Sequence, residues 1–288
     1  MRLLAFLLAC SLPSTALAQW DRETSPVDLP GYSVTTPDTP EAVNLNPSAL
    51  AFLPSWGLAY VHADTAEGGQ RRGNGDGFYA ASPLFFGFAA GLAVDSIRPT
   101  LGVPENAERT MVSLALAWGL QDALSVGAAL RFLASGDVRF DGVTTLDLSA
   151  SWRPVDWLAL SFLARDVVGP RLGGTLESVP RSFLLGAALR PFGSRVLSLD
   201  FAGALDEDGR VGARAAAEAT VPYVGRLIAA AELSRLDGPD PAVRVTGGVA
   251  VDWGQVGVGG GVAVGDGLEA APGWYASARL EGAQREGL

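Results

Sequence analysis

The stretch "ALSVGAALRF", residues 123–132, shows the alternation that decides the fold. Bulky apolar side chains such as Leu124, Val126 and Phe132 occupy every second position, and small or polar side chains lie between them. Because successive side chains of a β-strand point to opposite faces, this stretch predicts a strand with one bulky apolar face. The opposite face would carry small residues and one charge, Arg131.

The same alternation recurs along most of the chain. In a soluble β-sandwich the bulky face would point into the core, and the outer face would be polar. Here the face opposite the bulky one is rich in Gly, Ala and Ser, as in membrane barrels whose apolar side chains point out into lipid. Closure of the sheet also removes edges that lipid could not satisfy. The sequence therefore predicts an all-β fold, a transmembrane antiparallel up-and-down β-barrel.

We identify about 14 strands of ordinary length. The links between them alternate between short turns, such as "GLQDA" (119–123), and longer polar loops, such as "DTAEGGQRRGNGDG" (64–77). Because membrane barrels place short turns on the periplasmic side, both chain ends are predicted there, which requires an even number of strands. The strands are predicted to begin near Trp56, Gly77, Gly87, Thr110, Ala123, Gly142, Trp157, Arg181, Arg195, Arg210, Arg226, Ala242, Gln255 and Gly273.

The composition agrees with a barrel rather than with membrane helices. The 288 residues are 48% hydrophobic and include 36 glycines. A membrane helix needs ~20 apolar residues, whereas a membrane strand needs ~9–11. Beyond the N-terminus the longest apolar run, residues 85–94, has the length of a strand.

The N-terminus has the three parts of a secretory signal. A short charged start precedes an apolar stretch, residues 3–12, and Ala16 and Ala18 form a small-x-small cleavage site. Residues 1–18 are therefore predicted to be a signal peptide. The only cysteine, Cys10, lies inside it, and a lipoprotein box around Cys10 is the alternative.

Aromatic side chains supply a second indication of a membrane barrel, because amphipathic rings favour the membrane interface. The alternative is a set of Trp residues scattered through a core. The predicted periplasmic aromatic girdle, at the short-turn end of the barrel, consists of Trp56, Trp118, Trp152, Trp157, Trp253 and Tyr223.

The charge and the scarcity of catalytic side chains exclude several functions. The net charge of −10 argues against a nucleic-acid partner, because phosphate binding needs a basic surface. The only histidine, His62, falls on the first strand, where an interfacial position is favoured over a role in a catalytic triad. We therefore expect no enzyme activity, no cofactor and no metal site.

A different pattern precedes the first strand, in "EAVNLNPSALAFLPSW", residues 41–56. Asn46 could cap a helix with its side chain, and Pro47 is tolerated at the first helical position. No long helical pattern follows. These residues predict one short helix before the barrel, and a turn leading into the first strand is the alternative.

With a signal peptide, the phrase "NLNPSALA" (44–51) and about 14 strands, the chain resembles the FadL-like outer-membrane proteins. This superfamily includes transporters of long-chain fatty acids and aromatic hydrocarbons, and the PorV-like barrels of a secretion system. Its members often carry Asn-Pro-Ala in an N-terminal plug, and here Ser48 stands in the place of the alanine. The resemblance implies a plug in residues 19–55 with the motif Asn44, Asn46 and Pro47.

The resemblance also implies a barrel in residues 56–284, a tail in residues 285–288 and a place in the outer membrane of a Gram-negative bacterium. Its function would be passive uptake of a hydrophobic or small solute, with outer-membrane lipid around the barrel and a hydrophobic small molecule as ligand. The alternative is a non-conducting, PorV-like scaffold or membrane anchor for periplasmic or secreted proteins or domains. The loops are shorter than in the transporters, and the last strand lacks the usual terminal aromatic residue.

Charged residues on the small-residue face are predicted to point into the lumen. In a hairpin, the numbers of opposed residues sum to a constant, which predicts Arg214 opposite Glu232 and also opposite Asp200. The same rule places Thr246 opposite Glu232, with Arg244 on the diagonal. Asp200, Arg214, Glu232 and Arg244 should then form a belt of alternating sign, and separately hydrated charges are the alternative. All predicted inward charges are Arg131, Asp147, Arg165, Asp200, Arg214, Glu218, Glu232, Arg244 and Arg279.

Overall fold

The structure is a computed structural model of the chain. It describes residues 24–27, 29, 32–65, 74–98, 108–120, 123–173, 178–194, 196–209, 211–221, 225–234, 242–253, 255–266 and 273–282. The predicted signal peptide, the first residues of the predicted plug and the predicted tail lie outside these ranges. In the described part of the chain, no helix is both long enough and apolar enough to cross a membrane.

The strands form one closed antiparallel barrel in which each strand pairs with the next, and the first pairs with the last. The predicted 14-stranded barrel is confirmed, and every predicted strand start lies within two residues of the observed one. The strands are β1 Gly57–Thr65, β2 Gly75–Pro83, β3 Phe88–Ile97, β4 Arg109–Leu120, β5 Leu124–Ser135, β6 Thr144–Val155, β7 Leu158–Arg165, β8 Ser182–Leu189, β9 Leu197–Asp206, β10 Val211–Val221, β11 Gly225–Ser234, β12 Ala242–Trp253, β13 Val256–Asp266 and β14 Gly273–Glu281.

The seam between β1 and β14 closes the barrel. Its register runs from Gly57 opposite Glu281 to Thr65 opposite Gly273, without a break. Each strand therefore has hydrogen-bonded neighbours on both sides, which is the condition for a sheet surrounded by lipid. The odd-numbered strands begin at the end where the connections are short, called here the short-turn end. The opposite end is the long-loop end.

Exposure follows the alternation of the sequence. On β5 the side chains of Leu124, Val126 and Phe132 are exposed, whereas Ser125 and Arg131 between them are buried. The outward faces of the other strands carry a similar surface of Leu, Val, Phe and Trp. An outer surface of this kind fits contact with hydrocarbon, because a protein surrounded by water would not expose such a continuous apolar area.

The described residues between 24 and 55, called here the N-terminal segment, lie inside the barrel. They contain the helix α1, Ala42–Leu45, and a 3-10 helix, Pro47–Phe52. Pro47 occupies the first turn of the 3-10 helix, as predicted, but the predicted capping role of Asn46 is wrong. The side chain of Asn46 makes no cap hydrogen bond, because its amide binds elsewhere in the lumen.

Candidate luminal site

The N-terminal segment packs against one side of the barrel wall. Its 3-10 helix contacts strands β2 to β6, and α1 contacts β3 and β4. Val43, Ala49 and Leu50 are fully buried there, against small inward side chains such as Ala89 and Ala129. The alanines of the wall leave the space that the helices fill, so the small inward residues of β3 and β5 have a packing role.

Glycine allows the closest approach between the segment and the wall. A Cβ atom on Gly127 of β5 would lie 2.6 Å from the carbonyl carbon of Pro47 and would also collide with the backbone N of Ser48. A Cβ atom on Gly91 of β3 would collide with the side chain of Val43. At Gly127 the backbone of the segment therefore lies directly on the strand, where only glycine fits, and at Gly91 the side chain of Val43 lies against the strand.

Asn44, Asn46 and Pro47, the predicted plug motif, lie in this interface. The Asn44 amide donates to Asp95 Oδ2 at 2.7 Å. The Asn46 amide donates to Ser151 Oγ and to the carbonyl oxygen of Val34, both at 3.1 Å. The two asparagines thus bind inward side chains of β3 and β6 and satisfy polar groups that are shielded from water.

Replacing Gly127 with valine is expected to displace the 3-10 helix from the wall, because the new side chain would occupy the place of Pro47 and Ser48. The displaced segment should become sensitive to protease while the barrel stays folded. Limited proteolysis of the purified protein would measure this. The matched control is Ala128→Val, which adds bulk to the outward face of the same strand. Equal protection of the two variants from protease would contradict the contact between the 3-10 helix and Gly127.

A second group of contacts holds the segment at the short-turn end. The buried carboxylate of Asp38 accepts hydrogen bonds from Arg153, near the end of β6, and from Arg190, just after β8, the latter at 3.1 Å. The guanidinium of Arg153 also lies 3.9 Å from the ring centre of Phe52. Sequence reasoning missed these residues, although the inward parity of Arg153 on β6 was a usable signal.

The third contact lies towards the long-loop end, around the predicted inward charges Arg131 and Asp147. The two side chains form an ion pair and are 1% and 0% exposed. Arg131 also donates to the carbonyl oxygen of Thr24 at 3.2 Å, and the Thr24 hydroxyl donates to Asp166 Oδ2 at 2.9 Å. The beginning of the described segment is thus bound to a buried charge cluster on β5, β6 and the end of β7.

Arg165 joins this cluster to the helices of the segment. Its guanidinium donates to the carbonyl oxygen of Asn44 at 3.3 Å. Asp166, which follows β7, has a φ of 54° and accepts a hydrogen bond from the Thr145 hydroxyl at 2.9 Å. Arg131 and Arg165 therefore bind the segment directly, and Asp147 contributes through its ion pair with Arg131. The sequence had predicted for all three only an inward direction.

The predicted belt on β9 to β12 holds for three of its four members. Arg214 lies opposite Glu232 with an N–O distance of 3.3 Å, and Glu232 lies 3.7 Å from Arg244. Arg244 is directly opposite Glu232, not on the diagonal, and Asp200 lies opposite Ala216, not Arg214. Each misplaced hairpin centre is wrong by one residue, which moves the opposed partner by two positions and leaves every side chain on its predicted face.

Asp200 is bound by the N-terminal segment instead. The Ser33 hydroxyl donates to Asp200 Oδ2 at 2.5 Å. The same hydroxyl oxygen accepts hydrogen bonds from the backbone N–H groups of Thr35 and Thr36. A tight turn of the segment therefore contacts the wall at β9, away from strands β2 to β6, which the helices contact.

A second row of charges follows the luminal wall at the short-turn end, from β10 to β14. Arg226 lies between Glu218 and Asp252, at 3.3 and 2.9 Å. Arg279 likewise lies between Asp252 and Glu281, at 3.1 and 2.9 Å. Glu218 and Arg279 had been predicted to face the lumen, whereas the other three are at strand ends, where the alternation of the sequence is a weak guide.

Glycine makes this row continuous. Asp252 and Arg279 lie on β12 and β14, and Gly257 of the intervening β13 lies between them. A Cβ atom on Gly257 would lie 2.5 Å from Asp252 Oδ1. The ion pair can therefore cross β13 only because this position has no side chain.

A cavity of about 80 Å³ remains between the segment and β9 to β14. Tyr32 and Ser33 line it from the segment, and Asp200, Ser277 and Arg279 line it from the wall. Burial raises the pKa of the Tyr32 hydroxyl, and the Glu41 carboxylate adds to the shift. The side of the lumen opposite the helices is thus incompletely filled.

The aromatic residues of the predicted girdle are at the short-turn end, where Trp118 stacks on Phe88 with ring centres 5.9 Å apart. Tyr223 lies outside the described residues. Trp274 is exposed at the long-loop end, next to His62. The exposed members of the girdle are Trp56, Trp118, Trp152, Trp157 and Trp253.

His62 belongs to a polar cluster on the outward side of β1 and β2. Its Nδ1 atom lies 2.8 Å from Asp76 Oδ1, and the Tyr60 hydroxyl donates to the same oxygen at 2.6 Å. Arg98 donates to the other oxygen at 3.1 Å. No group of three or more metal-binding side chains occurs in the described ranges.

The fold is shared with solved barrels of the outer membrane. The CymD monoaromatic hydrocarbon channel superposes with a TM-score of 0.61 at 11% identity, covering 90% of this chain and 100% of that one. A Pseudomonas aeruginosa FadL homologue superposes with a TM-score of 0.56 at 12% identity, covering 94% of this chain and 99% of that one. The Pseudomonas putida toluene transporter TodX superposes with a TM-score of 0.52 at 14% identity, covering 89% of this chain and 98% of that one. No protein-family model and no curated protein sequence matches the chain.

Proposed function

We propose that this chain, whose fold is that of the FadL-like channel barrels, is an outer-membrane barrel that admits a small solute passively. The N-terminal segment restricts the lumen, and both chain ends lie on the periplasmic side. Residues 1–18 would direct export and be removed, and outer-membrane lipid would surround the apolar outer face.

The observation that carries this proposal is the one-sided filling of the lumen. The segment packs on the wall from β2 to β6 with apolar contacts and hydrogen bonds, whereas a cavity remains along β9 to β14. A second cavity lies at the short-turn end, between residues 51–53 and the ends of β6 to β8. A barrel that served only as a rigid anchor would have no need of a cavity on one side. The arrangement therefore suits a restricted passage beside a fixed segment.

The solved barrels support a channel over an enzyme. Those with TM-scores above 0.5 are described as a hydrocarbon channel, a FadL homologue and a toluene transporter. Their identity to this chain is 11–14%, so they establish the fold, and the channel function remains part of the proposal. A hydrophobic small molecule is accordingly one class of ligand for the passage, and a small polar solute is the other.

Deleting residues 19–55 is expected to leave a barrel that inserts into lipid but passes small solutes much faster than the full chain. The reason is that the deletion removes the helices, the Asp38 contact and the Thr24 contact together. Osmotic swelling of liposomes with a neutral sugar such as arabinose would measure the difference. Heat-modifiable migration on gels would show that the shortened barrel is folded. Equal swelling with both proteins would remove the restricting role of the segment.

A second candidate is a non-conducting anchor of the PorV-like kind for a periplasmic or secreted protein. The observation that favours it is the number of buried polar contacts that fix the segment on the wall, among them Asn44–Asp95 and Arg131–Thr24. In this case the full chain would pass no solute in the liposome assay. A specific protein would instead copurify with it from the periplasm.

A further inference from the structure

The open side of the lumen is bounded by β13, whose inward positions are mostly glycine. These inward positions are Gly257, Gly259, Gly261, Ala263 and Gly265, and the outward positions include Val258 and Val262. The cavity borders this strand at Gly257 and Gly259. Space along this wall is therefore a property of the sequence of β13.

The bulky apolar side chains of the lumen pack in three buried clusters, each of which includes residues of the N-terminal segment. One buried cluster joins α1 and the 3-10 helix to β1 to β5, and a second joins Val27 to Ile97, Met111 and Leu133. A third joins Val34 to Leu163 and Leu184. The apolar surface that a hydrocarbon would need is consequently covered by the segment itself.

Charges of both signs border the open side. The short-turn row presents Glu218, Arg226, Asp252, Arg279 and Glu281. Near the long-loop end of β10 to β12 the belt presents Arg214, Glu232 and Arg244. A solute that moves along β9 to β14 would meet charges of both signs at two levels, and a solute that carries both signs can be attracted to both members of a pair.

Two inward side chains, Asp200 and the belt residue Arg214, have hydrogen-bonding atoms without partners in the described part of the chain. Asp200 and Arg214 are 3% and 7% exposed. Among the described residues, Asp200 Oδ1 and the Nε and Nη2 atoms of Arg214 are buried without a hydrogen-bond partner. Buried polar atoms without partners destabilise the folded protein, so a ligand that binds them gains affinity.

The register places the two groups side by side. Asp200 lies opposite Ala216 and Arg214 lies opposite Ala202, so they are diagonal neighbours on the inward face of β9 and β10. The backbone positions of diagonal neighbours are ~7–8 Å apart, so one small molecule can contact both side chains. Asp200 lines the cavity, and Arg214 lies one step towards the long-loop end.

We infer that this place is a binding site for small zwitterions, and that the solutes of the passage belong to this class. The carboxylate of the solute binds the free guanidinium atoms of Arg214, and its ammonium group binds Asp200 Oδ1. This inference rests on the proposed channel function and narrows it. It predicts a preference that an apolar channel would not have.

Liposome swelling with the full chain tests the preference, with glycine and sodium glycolate as probes of similar size and arabinose as a larger neutral probe. Glycine should enter at least about tenfold faster than glycolate, a ratio that corresponds to ~1.4 kcal/mol. Asp200→Asn and Arg214→Gln should each reduce this ratio. Asp64→Asn and Arg98→Gln make the same changes outside the lumen and should preserve it. Heat-modifiable gel migration shows that each variant is folded.

The outcomes separate the two proposals. If arabinose or glycolate enters as fast as glycine, the channel function stands and the zwitterion site is wrong. The site is also wrong if Asp200→Asn and Arg214→Gln leave the ratio unchanged. If the full chain passes none of the three probes, the channel function fails, and the zwitterion inference fails with it.

Discussion

Replacing Arg131 with methionine is expected to lower the free energy of unfolding of the barrel by about 3–5 kcal/mol. Arg131 is 1% exposed and pairs with Asp147, which is fully buried. The substitution would leave the carboxylates of Asp147 and Asp166 close together without this guanidinium, and Thr24 would lose a donor to its carbonyl oxygen. Unfolding by urea in lipid vesicles, followed by Trp fluorescence, would measure the loss.

Two further variants show whether the loss comes from an uncompensated charge. The double variant R131M/D147L removes both partners and should recover much of the stability, because a buried pair is often replaceable by apolar groups. Arg139→Met breaks the 2.5 Å ion pair with Asp137 in the β5–β6 hairpin. The Arg139 guanidinium holds the pKa of Asp137 below its usual range, but this pair faces solvent. Arg139→Met should therefore change stability little, and a loss equal to that of Arg131→Met would contradict the argument.

The barrel could be predicted from the sequence because two independent patterns agree. The alternation of β5 fixes which side chains face lipid, and the turn residues fix where strands begin. An error of one residue in a hairpin centre, as between β9 and β10, shifts the partner of Asp200 by two positions but keeps its inward direction. Strand number and side-chain direction are therefore more robust predictions than register.

The contacts of the N-terminal segment could not be predicted, for a physical reason. Hairpin pairing relates each strand to its neighbours, but it says nothing about where a separate segment crosses the lumen. Asp38 with Arg190, and Ser33 with Asp200, join residues more than a hundred positions apart. The same limit applies to Asn46. Its local pattern predicted a helix cap, but its side-chain amide donates a hydrogen bond to Ser151 of the wall, 105 positions away.

The candidate site was predictable only in part, because its pairing follows from one hairpin and its unpaired atoms follow from the exact register of another. Arg214 and Glu232 are in one hairpin, and their pairing followed from the sequence. The unpaired atoms of Asp200 and Arg214 depend on the β9–β10 register. The prediction placed Arg214 opposite Asp200, whereas Ala216, two positions further on, lies there. Had the predicted register been correct, Asp200 would have paired directly with Arg214, and no diagonal site for a zwitterion would exist.

Replacing Leu114 with arginine is the second change with a large expected effect. Leu114 lies near the middle of β4 and is 50% exposed on the outward face. If the outer face lies in a bilayer, a charge at this depth should lower the free energy of unfolding by about 2–4 kcal/mol. The same urea titration in lipid vesicles would measure it. A soluble protein would tolerate an exposed arginine at this position.

The control for Leu114→Arg is on the same strand and the same face. Thr110 is exposed on the outward face near the long-loop end of β4, four residues from Leu114. Because the cost of arginine falls to about 0–1 kcal/mol near the interface, Thr110→Arg should be tolerated. Both variants place arginine on the same face of the same strand, so the strand propensity of arginine affects both alike. The difference between their free energies of unfolding therefore reports the depth of each position in the membrane. Equal stability of both variants would show that the outward face of β4 is not in contact with hydrocarbon, and with it the outer-membrane location would fail.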